Sequence, residues 1–353
     1  MLSRVEKFEV ALKQTECDAV LVTNLKNIYY LTGFSGTEAT VLISKTRRIF
    51  LTDSRYTLIA KGVVKGFDII ETRDALSEIA KIIADDKIKT IGFDDEISYR
   101  YFKTLEELFS DYKLTAMTAF IENLRMIKDE GEIATIRKAC QISDQAFLDV
   151  LDFIKPGETT ELAVMNFLDA RMRQLGASGA SFDFIIASGY RSAMPHGVAS
   201  EKVIQTGETL TMDFGCYYNH YVSDMTRTIH VGHVTDEERE IYDIVLRSNQ
   251  ALIEAAKAGV SRIEFDQVPR KVINDAGYGQ YFTHGIGHGI GLDIHEIPYF
   301  GKSSEPIEAG MVLTDEPGIY LDGKYGVRIE DDILITDTGC ELLTLAPKEL
   351  IVI

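Results

Sequence analysis

The chain has 353 residues and a net charge of -18, from 55 acidic and 37 basic side chains, so it repels nucleic acid, and no Lys/Arg cluster reverses that. Hydrophobic residues make up 45% and charged residues 26%, a globular composition on a chain long enough for two domains and a sizeable core. No apolar run approaches the roughly eighteen residues needed to span a bilayer.

The opening MLSRVEKFEV is amphipathic and lacks the apolar stretch of a signal peptide. Cys17, Cys140, Cys216 and Cys340 are scattered, with no CxxC pair, and read as reduced thiols. Together these features lead us to expect a cytoplasmic protein with no membrane partner.

In chain order, strand-like runs come first: 18–24 (DAVLVTN), 39–44 (ATVLIS), 47–52 (RRIFLT) and 89–94 (KTIGFD). Between them Ala75–Asp85 carries apolar residues at helical spacing. This predicts a self-contained α/β domain over 1–122. The charged stretch Arg125–Glu132 leads into an amphipathic helix near 130–153, and a second domain over 123–353 follows.

The second domain contains an internal duplication. Lys155-Pro-Gly157 opens one helix and Lys257-Ala-Gly259 another, and these helices end near Gly176 and Gly277. A longer helix precedes each, at about 130–153 and 236–257, and strands with an acidic hairpin follow each. Two packed copies of one helix-helix-sheet unit place a shared site at their interface.

The first hairpin spans Thr209 to Val231. A two-residue loop at Tyr218-Asn219 would set Asp213 directly opposite Asp224, with Cβ atoms about 5 Å apart. The second spans Thr314 to Asp332 and turns at Gly323, which sets Glu316 opposite Glu330. Facing carboxylates repel. Two mirrored acidic pairs therefore call for positive charge between them, and hard divalent cations supply it. Two such ions about 3.5–4 Å apart form a hydrolytic centre with a bridging hydroxide as nucleophile.

Three histidines lie in Thr283-His284-Gly-Ile-Gly-His288-Gly-Ile-Gly-Leu-Asp-Ile-His295-Glu296. The glycines preclude a stable helix and let backbone approach a ligand closely. One of the three can bind metal while the others flank it. His196 sits in Met-Pro-His-Gly just before the first repeat's strands, and His220, His230 and His233 read as structural or surface residues.

The set MDFG, SDMTRT, HGIGHGIG, IHE, EPGIY and VRIED, in this order, resembles the Xaa-Pro peptidases, prolidase and aminopeptidase P. The likeness covers essentially the whole chain. It implies an α/β creatinase/prolidase-type N-terminal domain and an α+β pita-bread catalytic domain with a pseudo-twofold repeat. It implies Asp213, Asp224, His288, Glu316 and Glu330 as ligands of two divalent ions, manganese first, with cobalt, zinc or iron as alternatives. Asp224 and Glu330 would bridge the ions. His196, His284 and His295 would line the substrate site, Glu316 would shuttle a proton, and Arg328 and Tyr320 would contact substrate.

The expected activity is hydrolysis of the bond before proline in a peptide, releasing the N-terminal residue, by a homodimer. A creatinase-like hydrolase and a non-catalytic pita-bread binding protein are the alternatives. One departure from the family pattern is Asp315, where an aliphatic residue usually precedes the EPG motif. Its side chain should point to the opposite face of the strand.

Overall fold

The computed structural model describes residues 2–353. It separates into two compact units, Met1–Arg125 and Met126–Ile353.

The first unit runs α1 (Arg4–Leu12), β1 (Ala19–Val22), α2 (Leu25–Thr32), β2 (Thr40–Ser44), β3 (Arg48–Thr52), α3 (Thr57–Val63), β4 (Asp68–Glu71), α4 (Ala75–Asp85), β5 (Thr90–Phe93), α5 (Tyr99–Leu108), β6 (Lys113–Ala116) and α6 (Phe120–Arg125). The strands form one sheet in the order β4-β3-β2-β1-β5-β6. β1, β2, β3 and β5 correspond to the apolar runs in the sequence. They are buried because helices cover them, with Leu21, Leu51, Ile79, Ile83, Ile91 and Phe93 in one core. β4 and β6 are the sheet's edges and have exposed ends, charged at both ends of β4 and at Lys113 of β6, so their hydrophobic signal is weak.

The second unit runs α7 (Glu130–Leu151), α8 (Glu161–Gln174), β7 (Gly179–Ala180), β8 (Ile185–Ser188), β9 (Glu208–Phe214), β10 (Cys216–Tyr218), β11 (Tyr221–Val222), β12 (Met225–Val231), α9 (Asp236–Ala255) and α10 (Arg262–Asp275). It continues through β13 (His288–Gly289), β14 (Glu296–Tyr299), β15 (Val312–Asp315), β16 (Gly318–Leu321), β17 (Tyr325–Arg328), β18 (Asp331–Ile335) and β19 (Cys340–Leu342).

The duplication is visible bond by bond. Gly157 N–H donates to Ile204 O at 2.8 Å, and Gly259 N–H to Ile307 O at 2.9 Å. Thr160 bridges Val203, and Ser261 bridges Pro306. Both glycines have positive φ, +79° and +92°, which a side chain would resist. They form the turn between helices rather than opening the next one. α8 and α10 start further on, capped by the Thr160 and Ser261 hydroxyls. Each repeat has its own core, one around Phe147, Leu168 and Phe214, the other around Val245, Phe265 and Val327.

The first hairpin differs from its expected register. Its turn is Asn219-His220, both at positive φ (45° and 72°), so Tyr218 pairs with Tyr221 and Asp213 with Thr226. A tight two-residue turn of this kind requires the left-handed region at both central positions, which asparagine tolerates and a bulky tyrosine does not. Asp213 is therefore a diagonal, not a direct, neighbour of Asp224. Because the slip is even, both remain on one face. In the second hairpin Gly318 pairs with Arg328 and Asp315 with Asp331, so Glu316 and Glu330 face each other between these pairs, as expected.

Candidate metal centre

The acidic faces of the two repeats meet in a cleft of about 590 Å³ within the second unit. Its walls include all the residues singled out in the sequence except Tyr320: His196, Asp213, Asp224, His284, His288, His295, Glu316, Arg328 and Glu330. Tyr320 touches the cleft through its hydroxyl, which lies 2.8 Å from His284 Nε2 and accepts from Arg328 Nη1 at 2.9 Å.

At the centre, one donor atom each from Asp224, His288 and Glu330 lie within 4.8 Å of one another. His288 Nε2 is 3.7 Å from Asp224 Oδ2 and 3.7 Å from Glu316 Oε1. The strand carrying His288 lies against β15 only because residue 287 is glycine. A Cβ there would sit 2.3 Å from Thr314 O. The His288 N–H then donates to Thr314 Oγ1 at 3.0 Å. His288 Nδ1 is 3.1 Å from Gly289 O, which fixes the proton on Nδ1 and turns the Nε2 lone pair toward the carboxylates.

Asp213 is held from the other side. Its Oδ2 accepts from Arg328 Nη2, while its buried Oδ1 has no hydrogen-bond partner. Arg328 is the one Lys or Arg among the described cleft residues, and its other donors reach Thr226 Oγ1, Pro195 O and Tyr320. Thr226 Oγ1 in turn donates to Glu330 Oε2 at 2.6 Å.

Charge makes this cluster costly without a cation. Burial, then Glu330 and Asp213, pushes the Asp224 carboxyl well above its ordinary range. Burial and Glu316 do the same to Glu330. Burial lifts Asp213 against the pull of Arg328, and it lifts Glu316 to about 7. Burial also lowers His288 and His284 to about 4, so both rings are neutral near pH 7. A neutral imidazole with a free Nε2, an orphan carboxylate oxygen and four converging carboxylates form a donor set suited to hard or borderline divalent ions.

His295 packs edge-on against His288, with centroids 4.3 Å apart, and it and His196 reach the cleft from the exposed side. Asp315 points to the other face, where its Oδ2 accepts from Asn249 Nδ2 at 3.1 Å. Sequence reasoning missed the apolar walls Phe182, Tyr299 and Phe300, and it missed Thr226. The alternation of SDMTRT carried a signal for Thr226, which shares a strand face with Asp224. Phe182 and Phe300 lie outside helices and strands, and Tyr299 ends the short strand β14, so no periodicity marks them.

Residues 134–337 match the metallopeptidase family M24, and residues 4–127 match the Creatinase/Prolidase N-terminal domain. The chain is 42% identical over 353 residues to an uncharacterized peptidase of Bacillus subtilis, covering 99% of this chain and 100% of that one. It is 38% identical to a Xaa-Pro dipeptidase of Pyrococcus furiosus, covering 99% and 100%. Among solved structures it superposes on a Xaa-Pro dipeptidase from Bacillus anthracis with TM-score 0.96 at 44% identity, covering 99% of both chains. An X-Pro aminopeptidase from Thermotoga maritima gives 0.90 at 40%, covering all of both. The second unit thus has the pita-bread architecture, and the chain belongs to metallopeptidase family M24.

Proposed function

We propose that this protein hydrolyses the peptide bond preceding proline and releases the N-terminal residue. The observation that carries the reading is the convergence of Asp224, His288 and Glu330 within 4.8 Å, on a chain closely similar to Xaa-Pro peptidases along its full length. Residues 123–353 perform the chemistry, and 1–122 form an accessory α/β domain. Asp213, Asp224, His288, Glu316 and Glu330 would hold two divalent ions, manganese first, with Asp224 and Glu330 the carboxylates placed to serve both. When bound, the ions supply Lewis acidity to the scissile carbonyl and activate water near neutral pH.

The protein's own groups do the rest. Glu316, whose Oε1 lies 3.7 Å from His288 Nε2 in the cleft, would hold and pass the proton. His284 donates its Nδ1 proton to Gly285 O, and its Nε2 accepts from the Tyr320 hydroxyl, so its ring is held at a fixed angle over the cleft. His196 and His295 stand at the open side, where a substrate enters. Arg328 spends its donors on Asp213, Tyr320 and Pro195 and so orients a ligand and a wall together. A tertiary X-Pro amide offers no N–H, and a site built on cations and imidazoles needs none.

The four cysteines are unpaired, in keeping with a cytoplasmic setting, and no described helix is long and apolar enough to cross a membrane. A homodimer is the assembly we assign.

The test is release of the first residue from Leu-Pro and Leu-Pro-Gly, with Leu-Ala as control, after EDTA treatment and after addition of Mn, Co or Zn. Metal-dependent cleavage of the proline peptides alone is expected. Cleavage of Leu-Ala at an equal rate, or none of any peptide with metal present, overturns the reading.

A further inference from the structure

The proposed bridging ligands Asp224 and Glu330 belong to different repeats, and the polar groups that hold them differ. Glu330 is tied twice to β12: its N–H donates to Thr226 O at 3.0 Å, and its Oε2 accepts from Thr226 Oγ1. Its carbonyl also accepts from Arg227 Nη1, and the neighbouring Asp331 accepts from Arg227 Nη2 at 2.8 Å. Arg227 is almost fully buried, and its remaining bonds go to the carbonyls of Thr226, Ala346 and Pro347.

Asp224 has a single such tie. It falls in the break between β11 and β12, where the hairpin ladder is interrupted and offers its N–H no backbone partner. The acceptor comes from 108 residues away: Asp332 Oδ2, at 2.9 Å. The same oxygen accepts from the Cys140 thiol at 3.3 Å. Asp332 is itself fixed, since its N–H donates to Thr344 Oγ1 and it stands opposite Thr314, whose hydroxyl receives the His288 N–H. Asp332 is fully buried, makes no ion pair, and leaves its Oδ1 without a partner. Such a group is unfavourable for the fold unless it meets a need that an apolar residue cannot.

We propose that Asp332 is a positioning residue: by accepting the Asp224 N–H across the repeat interface, it sets the spacing of the two bridging carboxylates and so the binding of the second metal ion. The inference rests on the two-metal reading above. Removing Asp332 leaves Glu330 anchored and lets Asp224 drift. The site should then keep one ion tightly and hold the other weakly. The acceptor oxygen, not the charge, is the working part, so asparagine should replace aspartate.

The experiment uses the full chain, stripped with EDTA, dialysed, and titrated with MnCl2 by calorimetry. The EPR spectrum of the loaded protein is recorded to detect coupling between manganese ions about 3.5–4 Å apart. Wild type should bind two ions and show the coupled signal. Asp332→Ala should bind the second about 10- to 100-fold more weakly and lose the coupled signal, the scale typical for groups that orient metal ligands. Asp332→Asn should restore both. If the alanine variant does not fold, Asp332→Leu, which fills the volume without an acceptor, is read in its place. Wild-type affinity and coupling in the alanine or leucine variant overturn the proposal, as does an asparagine variant as weak as alanine. A wild type that binds fewer than two ions removes the two-metal reading itself, and this proposal with it.

Discussion

Individual side chains should separate ligation from catalysis under the proposed reading. Glu330 is buried among acids and tied to Thr226, whereas His196 reaches the cleft from the exposed side with no place in the cluster of Asp224, His288 and Glu330. Glu330→Ala should therefore lose bound metal and activity together. His196→Ala should keep its metal and lose about 10²–10³ in turnover, the usual cost of one transition-state donor. Elemental analysis beside a Leu-Pro assay checks both, and a His196→Ala protein without metal would show that the assignment is wrong. His230 illustrates the opposite kind of residue. It is fully buried in β12, neither ring nitrogen has a partner, and burial lowers its pKa from 6.5. The folded state thus binds fewer protons than the unfolded one as pH falls below 6.5, so this ring costs stability in acid. His230→Leu should stabilise the protein by about 1 kcal/mol at pH 7.5, where only the orphan nitrogens are relieved. The gain should widen at pH 5.5. Urea denaturation at the two pH values measures it, and a gain that narrows in acid would contradict the account.

At the scale of elements, the two hairpins and the glycine-rich strand do the positioning. The second hairpin was legible because Asp322-Gly323 is a strong turn signal and its register follows from the turn. The first was misread by a step because Tyr218, Asn219 and His220 are all polar or aromatic and only the left-handed backbone at 219 and 220 decides between them. The error left the acids on the right face, since pairing by two residues preserves side-chain direction. Gly287 is a point of close backbone approach beside the site. Gly287→Ala puts a methyl 2.3 Å from Thr314 O, a backbone atom that cannot swing away. The substitution should cost about 1–3 kcal/mol as overpacking. It should also weaken metal binding, because the displaced segment carries His288. Equal melting and metal affinity to wild type would show that the strand yields freely.

Over the whole molecule, the metal site opposes folding until it is filled. The Asp213, Asp224, Glu316 and Glu330 carboxyls are all raised, Glu316 to about 7 from 4.5. Below about pH 4 folded and unfolded chains are both protonated at these groups, and they contribute no difference. As pH rises toward 7 the unfolded chain ionises first, so these four carboxyls withdraw stability from the metal-free protein between about pH 4.5 and 7, while His284 and His288, lowered to about 4, return part of it. Manganese should reverse this, because a ligand that binds only the folded state adds about 2.7 kcal/mol at a hundredfold excess over its Kd. Denaturation of the EDTA-treated protein at pH 5 and pH 7, with and without Mn, tests the sign. A metal-free protein more stable at pH 7 than at pH 5, and indifferent to Mn there, would refute it.

What the sequence determined by itself was local or periodic: the buried strands of the first sheet, the paired helices of the duplication, the second hairpin's register, and the residue types able to hold hard cations. These follow from alternation, helical spacing and turn chemistry, which act over a few residues. The choice of His288 over its two neighbours came by family likeness, and the structure gives it a physical reason in the Thr314 and Gly289 bonds that aim its Nε2 inward. Only the tertiary structure decided which groups serve the acids from afar. Arg328 on Asp213, Thr226 on Glu330 and Asp332 on Asp224 each cross more than a hundred residues. No local pattern encodes such a bond, because it exists only once two separately folded repeats have packed their acidic faces together.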